Sequence, residues 1–275
     1  MAKQRIDQVL VDQGFFSSRE QAKRAVMAGL VYTPSGRIDK PGSTVDPEVI
    51  LDVRGDPLPF VSRGGLKLVK ALDVFSINVA NKISLDVGAS TGGFTDCLLQ
   101  YGASKVYAID VGYGQLHWKL RTDPRVVVME RTNIRYVKPS DLAEKGQVAT
   151  VDVAFISLTK FFKALLDLLT EDGEVVTLIK PQFEAGRELV GKKGVVRDPQ
   201  VHVDVINRLI VQLQACGAGL VDLTFSPIRG PEGNVEYLAY FRKDRPHIDG
   251  FGWAERIVTA AMKTTPTAKK ELGKI

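Results

Sequence analysis

Residues 85–99 read LDVGASTGGFTDCLL, an apolar strand that runs into a glycine-rich turn and on into a helix. No other feature of the chain constrains its fold as much. A strand followed so closely by a helix belongs to a parallel sheet, because the helix must lie back over the sheet to bury its apolar face. The alternation then repeats. Strands are predicted at Ile83–Val87, Lys105–Ile109, Val126–Met129, Val148–Val151 and Val175–Ile179. Helices are predicted near Leu66–Phe75, Phe94–Tyr101, Thr159–Leu169 and Val201–Cys216. Leu220–Phe225 and Glu236–Phe241 follow in succession with only turn residues, Pro227–Asn234, between them. That pair predicts an antiparallel last strand on an otherwise mostly parallel sheet with helices on both faces.

The first fifty-odd residues read differently. A short helix is expected near Gln4–Gln13. A second, opening at Ser17-Ser18-Arg19-Glu20, runs through Gln21–Ala28 and stops at Gly29. Two short extended pieces follow, Val31-Tyr32 and Ile50–Val53, with turn chemistry at Pro34-Ser35-Gly36. Gly55-Asp56-Pro57-Leu58-Pro59 has the prolines of a stiff linker. The expected organisation is a small α+β domain at 1–56, a linker at 57–62, a large α/β domain at 63–244, and a basic C-terminal segment at 245–275. That last segment carries a helix, Trp253–Lys263, and a poorly ordered tail.

With 275 residues there is room for one large and one small core. A net charge of +5 weakly favours a polyanionic partner. Cys97 and Cys216 stand alone in apolar settings, which argues against a disulfide framework, and His117, His202 and His247 lack metal-site spacing, so no metal is expected. MAKQRIDQVLVDQG has no apolar stretch typical of a secretory signal, and no apolar run reaches a membrane span of about 18–20 residues. A soluble, cytoplasmic protein is expected.

A strand–glycine–helix turn presents backbone N–H groups and a helix N-terminus to a ligand that a Cβ would obstruct. A dinucleotide fingerprint, G-x-G-x-x-G, is only partly met by Gly88, Ser90 and Gly93. A methyl-donor turn favours an acid two residues before the first glycine, and Asp86 is there, with Gly88, Ser90 and Gly92 following. Asp110 ends the next strand, where a carboxylate can accept from ribose hydroxyls in either class. A tight turn that binds nothing is the plain alternative.

Four charged residues narrow the choice. Asp152 and Lys180 each follow a strand and so lie on the rim that carries Gly88 and Asp110. Lys67 lies on the helix leading into the first strand. Glu236 opens the last strand, whose start reaches the same rim if it is antiparallel. Singly, each has an ordinary reading: a solvated helix lysine, the cap of a turn, a strand-edge carboxylate. Lys180, after five apolar residues and before Pro181, is the hardest to read that way.

The set Lys67, Asp152, Lys180, Glu236 resembles the Lys-Asp-Lys-Glu tetrad of FtsJ/RrmJ-type ribose 2′-O-methyltransferases. The words around it, SRGGLKL, DVAFISL, LIKPQFE and GNVEYLAYF, are similar to the TlyA subfamily, often labelled haemolysin. In that family an S4-like RNA-binding domain precedes a Rossmann-like class I methyltransferase. Residues 5–53 fit the first part, with Arg5-Ile6-Asp7, Gly14, Ser18-Arg19, Ala22, Gly29 and Val31. Tyr32–Gly36 departs from the usual S4 turn and leads us to expect a lengthened hairpin.

The resemblance implies S-adenosylmethionine as cofactor, held by Asp86, Gly88, Ser90, Thr91, Gly92, Gly93, Phe94, Asp110, Val111 and Asn133. It implies methyl transfer to a ribose 2′-hydroxyl of ribosomal RNA, at cytidine, with ribosomal RNA or ribosomal subunits as partners. Lys180 would be the base and Lys67 would hold the nucleotide. A lysine base must first lose its own proton, which burial and nearby positive charge favour and carboxylates oppose. Asp152 and Glu236 are therefore expected to orient rather than activate. RNA contacts are expected from Arg5, Arg19, Lys23 and Arg24 in the small domain, from Arg63, and from Arg187, Lys192, Lys193 and Arg197 in a glycine-rich segment. Phe155 or Phe183 could stack on an extruded base, or belong to the core. Competing readings are a membrane-active haemolysin, an RNA-binding module with an inactive methyltransferase domain, and an NAD-dependent enzyme, which makes poor use of the tetrad.

Overall fold

The apolar alternation produces the expected sheet. The protein is described from a computed structural model covering residues 3–16, 18–27, 29–54, 59–248 and 252–264. Linker residues 55–58, the tail from 265 onward and the Arg24 side chain lie outside the described residues. The described chain falls into two compact units, one within 1–59 and the other within 60–266.

The small unit comprises β1 (Gln4–Arg5), α1 (Ile6–Asp12), α2 (Arg19–Met27), β2 (Val31–Thr33), β3 (Gly36–Arg37), β4 (Thr44–Val45) and β5 (Asp52–Val53). Ile6, Val9 and Leu10 of α1 pack on Ala22, Ala25 and Val26 of α2, all fully buried. Strand β2 pairs with β3 and β5, and β1 pairs with β4. The hairpin departs from expectation. Thr33 pairs directly with Gly36, which leaves only Pro34 and Ser35 in the turn. Gly36 takes the left-handed φ of +122° that lets so short a turn close.

The large unit continues with α3 (Gly64–Val74), β6 (Ile83–Val87), α4 (Gly93–Gln100), β7 (Lys105–Ile109), α5 (Trp118–Arg121), β8 (Val126–Met129), β9 (Gly146–Val151), α6 (Phe162–Asp167) and β10 (Leu169–Ile179). It ends with α7 (Pro181–Glu184), α8 (Pro199–Gln214), β11 (Gly219–Phe225), β12 (Tyr237–Arg242) and α9 (Trp253–Lys263). The sheet order is β11-β12-β10-β9-β6-β7-β8. Strand β12 is antiparallel to both neighbours, and the pairings from β10 to β8 are all parallel.

Side chains alternate across the sheet. Tyr107 and Ile109 join the core under α6, α8 and α9, whereas Val106 and Ala108 join the one under α3 and α4. The helix expected to reach Leu169 stops at Asp167. Leu169 instead starts β10, which changes register before Glu174, where Gly173 leaves room beside Leu169. Helix α9 packs into the main core through Ala254, Val258 and Ala261. Strand order reverses between β6 and β9, so their carboxyl ends diverge and leave a crevice.

Candidate active site

That crevice is a cleft of about 870 Å³ at the carboxyl ends of β6, β7, β9 and β10. Its floor is the turn after β6. Gly88 has φ +85°, and a Cβ there would come within 2.5 Å of the Asp152 carbonyl oxygen, so only glycine fits. Ser90 is also left-handed, at φ +48°, and its N–H donates to Asp110 Oδ2 at 2.7 Å. The other Asp110 oxygen accepts from the Gly112 N–H at 2.6 Å. Each carboxylate oxygen has further lone pairs, so Asp110 can still accept from a ribose diol.

Gly88, Ser90, Thr91, Gly93 and Phe94 line the cleft, as do Asp110, Val111 and Asn133. Val111 offers an open apolar surface. The Asn133 side-chain oxygen accepts from the Arg135 N–H and so shapes the turn beneath. Backbone amides, an acceptor carboxylate and an apolar edge on one cleft suit a nucleoside-bearing methyl donor such as S-adenosylmethionine.

Two expected cofactor residues lie elsewhere. Gly92 caps α4 facing Leu116 and Leu120, away from the cleft wall. Asp86 is wholly buried beneath the turn, where Thr95 Oγ1 donates to it at 2.6 Å and Thr150 Oγ1 at 3.3 Å. Burial pushes its carboxyl up to about 7, opposed by the Thr95 hydrogen bond and reinforced by the charge of Asp152. It supports the turn from below and does not touch the cleft.

The four charged residues converge. Lys67 Nζ lies 2.6 Å from Glu236 Oε2 and 3.7 Å from Asp152 Oδ2. Lys180 Nζ lies 2.5 Å from Asp152 Oδ1. Lys67, Asp152 and Lys180 line the cleft, and Glu236 sits behind Lys67, fully buried and pressed against Gly230. The result is an alternating chain of charge, Glu236–Lys67–Asp152–Lys180, in which the buried Glu236 and the partly buried Asp152 are each paired with lysine side chains. Such a chain can orient a hydroxyl and receive its proton.

Phe155 stands at the rim with 89% of its surface exposed and φ +64°, which rules out a core role. Its ring centroid is 4.9 Å from that of Phe183, tilted by 51°. Arg63 is exposed at the mouth of the cleft. Arg187, Lys192, Lys193 and Arg197 are exposed along the segment between α7 and α8.

Two residues missed in the sequence tie that segment down. Asn234 donates to the Gly194 carbonyl at 3.0 Å and accepts from the Val196 N–H at 3.4 Å. Buried His202 bridges the Val196 carbonyl and the Tyr237 hydroxyl, at 3.0 and 2.8 Å, and burial holds its pKa below the usual histidine range. Glu184 was also missed. It is desolvated enough to hold its carboxyl above the usual range, and it accepts from the Leu158 N–H. Only its place within LIKPQFE hinted at it.

In the small unit, Arg5, Arg19 and Lys23 surround the buried Asp7 carboxylate at 3.0, 3.1 and 4.0 Å. The Arg5 hydrogen bond is the largest cause holding that carboxyl below its ordinary range. Among the described residues no helix is long and apolar enough to cross a membrane.

Family comparisons agree with this division. Residues 4–51 match the S4 domain and residues 60–243 the FtsJ-like methyltransferase. A Bacillus subtilis protein, YqxC, provisionally titled an rRNA methyltransferase, is 51% identical over 98% of both chains. The 16S/23S rRNA (cytidine-2′-O)-methyltransferase TlyA of Mycobacterium tuberculosis is 44% identical over 86% of this chain and 89% of its own. A structure from Streptococcus thermophilus, provisionally titled a haemolysin, shares 48% identity and a TM-score of 0.76, covering 96% of this chain and 97% of that one. The chain belongs to the TlyA family, in which an S4 domain is joined to an FtsJ-like methyltransferase domain.

Proposed function

We propose that this protein is an S-adenosylmethionine-dependent methyltransferase acting on the ribose 2′-hydroxyl of ribosomal RNA, at cytidine, in the cytoplasm, with naked ribosomal RNA or a ribosomal subunit as substrate. One observation carries the chemistry: the Glu236–Lys67–Asp152–Lys180 chain opens onto the same cleft as the glycine turn and Asp110. The bound cofactor supplies an electrophilic methyl group on a sulfonium.

The protein's residues do the rest. Gly88, Ser90 and Gly93 let main chain approach the ligand, and Asp110 accepts from ribose hydroxyls. Lys67, anchored by Glu236, directs its free N–H donors at the target hydroxyl oxygen and fixes its direction of attack. Lys180 Nζ, once in its neutral amine form, receives the hydroxyl proton as the oxygen takes the methyl group from sulfur, with Asp152 holding the amine in line. Phe155 offers its open face to the extruded base, and Phe183 backs it. The basic side chains of the 187–197 segment and the small unit meet the phosphate backbone.

Lys180→Ala tests the reading. Methyl transfer to ribosomal RNA should fall by about 10²–10⁴-fold, the usual worth of a general base, while dissociation constants for RNA and S-adenosylmethionine change little. Retention of full turnover by the variant would remove Lys180 as the base.

A further inference from the structure

Two loops carry the groups expected to face the target nucleotide. The loop after β9 holds Asp152 and Phe155, and the one after β10 holds Lys180 and Phe183. Beyond the Lys180–Asp152 ion pair and the Phe155–Phe183 ring contact, a side chain outside the cleft lining joins them. Glu184 Oε1 accepts the Leu158 N–H at 2.9 Å, and the Ser157 side chain also hydrogen-bonds to this carboxylate.

Glu184 is itself anchored from a third direction, because Arg208 of α8 donates to its main-chain carbonyl at 2.6 Å. The bonded amide lies three residues after Phe155, whose φ of +64° is unusual for a bulky side chain. Such a conformation persists only where the surroundings over-determine it. Ser157 begins the 3₁₀ turn Leu158–Lys160, and Glu184 clamps that turn at its first N–H.

We propose that Glu184 is a positioning residue: it clamps the Phe155 loop to the Lys180 loop and so sets where the target base sits relative to the base lysine. The proposal rests on the RNA-methyltransferase reading above. It concerns neither cofactor affinity nor proton transfer, because Glu184 lies outside the cleft lining.

The experiment uses the full chain, as wild type, Glu184→Ala and Glu184→Gln. The glutamine amide oxygen can still accept from Leu158 N–H. Hydrogen exchange reads the clamp directly: amides around 155–160 should exchange about tenfold faster in the alanine variant and near the wild-type rate in the glutamine variant. Steady-state transfer to unmodified ribosomal RNA reads its consequence. Because a displacement of about 1 Å can cost as much as about 10²-fold, Glu184→Ala should lower kcat/KM for RNA by about 10- to 100-fold, with the S-adenosylmethionine Kd within about twofold, and Glu184→Gln should recover most of the loss.

Unchanged exchange in Glu184→Ala would overturn the clamp. So would a glutamine variant as impaired as alanine, or equal loss of cofactor binding and RNA turnover, which marks general structural damage. If wild type transfers no methyl group to RNA, the functional reading fails, and the exchange data still decide whether Glu184 holds the two loops together.

Discussion

Asp86 shows how much a single side chain's direction decides. Strand parity puts it on the same face as Ser84, turned toward Thr95 of α4 and away from the cleft. The spacing of an acid two residues before Gly88 is plain in the sequence, but the shell of Thr95 and Thr150 that encloses it is assembled by the fold. Its function is therefore to hold the turn, at a cost that depends on pH. A buried carboxyl pushed up to about 7 binds its proton more tightly in the folded chain than in the unfolded one. Stability is then fully present below the unfolded carboxylate range near ~4 and is lost as pH rises through about 7. Asp86→Asn removes that titration. Urea midpoints should show the wild type losing, between pH 5 and 8, on the order of a few kcal/mol that the variant keeps. Parallel pH dependence in the two proteins would mean that Asp86 keeps its charge at neutral pH.

At the scale of elements, period and punctuation made most of the sheet readable. Val106–Ile109, after Lys105, and Val126–Met129 are apolar runs bounded by turn residues, and strands form over Lys105–Ile109 and Val126–Met129. What escaped reading depends on partners distant in sequence. The two-residue β1 and β4 exist only because Gln4 and Arg5 meet Val45 and Thr44. The early start of β10 needs Gly146 of β9 opposite Leu169. The tetrad was legible because each member sits at a strand or helix end, whereas Asn234 and His202 look like ordinary polar residues until the fold closes. Asn234 joins the 187–197 segment to the stretch that carries Glu236 into β12. Asn234→Ala removes both its bonds to Gly194 and Val196. It should raise the KM for RNA by up to about 30-fold with the cofactor Kd unchanged, since each of the two hydrogen bonds contributes about 1 kcal/mol. An unchanged KM in initial-rate assays would mean that this basic segment is held elsewhere or does not touch RNA.

At the scale of the whole molecule, the net charge of +5 lies outside the first 59 residues, where eight basic side chains balance eight acidic ones, so in the small unit placement matters more than surplus. In the small unit three cations share one buried carboxylate, which neutralises part of their charge but fixes their direction. Arg5, Arg19 and Lys23 remain about half exposed, so their outer N–H groups are free to meet phosphates. A preordered cationic cluster loses less side-chain entropy on binding than three loose side chains would. Phosphate contacts release counterions, and each one lost should reduce the slope of log K against log salt by about 0.7–0.9. Replacing Arg5, Arg19 and Lys23 together with alanine strands Asp7, so Asp7→Asn is added to keep the buried site neutral. In filter binding to ribosomal RNA across salt concentrations, the fourfold variant should weaken affinity most at low salt. Its slope should flatten by about 2–3, and S-adenosylmethionine affinity should stay at the wild-type value. A parallel slope would show that the cluster is a solvated surface and that the basic residues of the large unit carry the RNA contact alone.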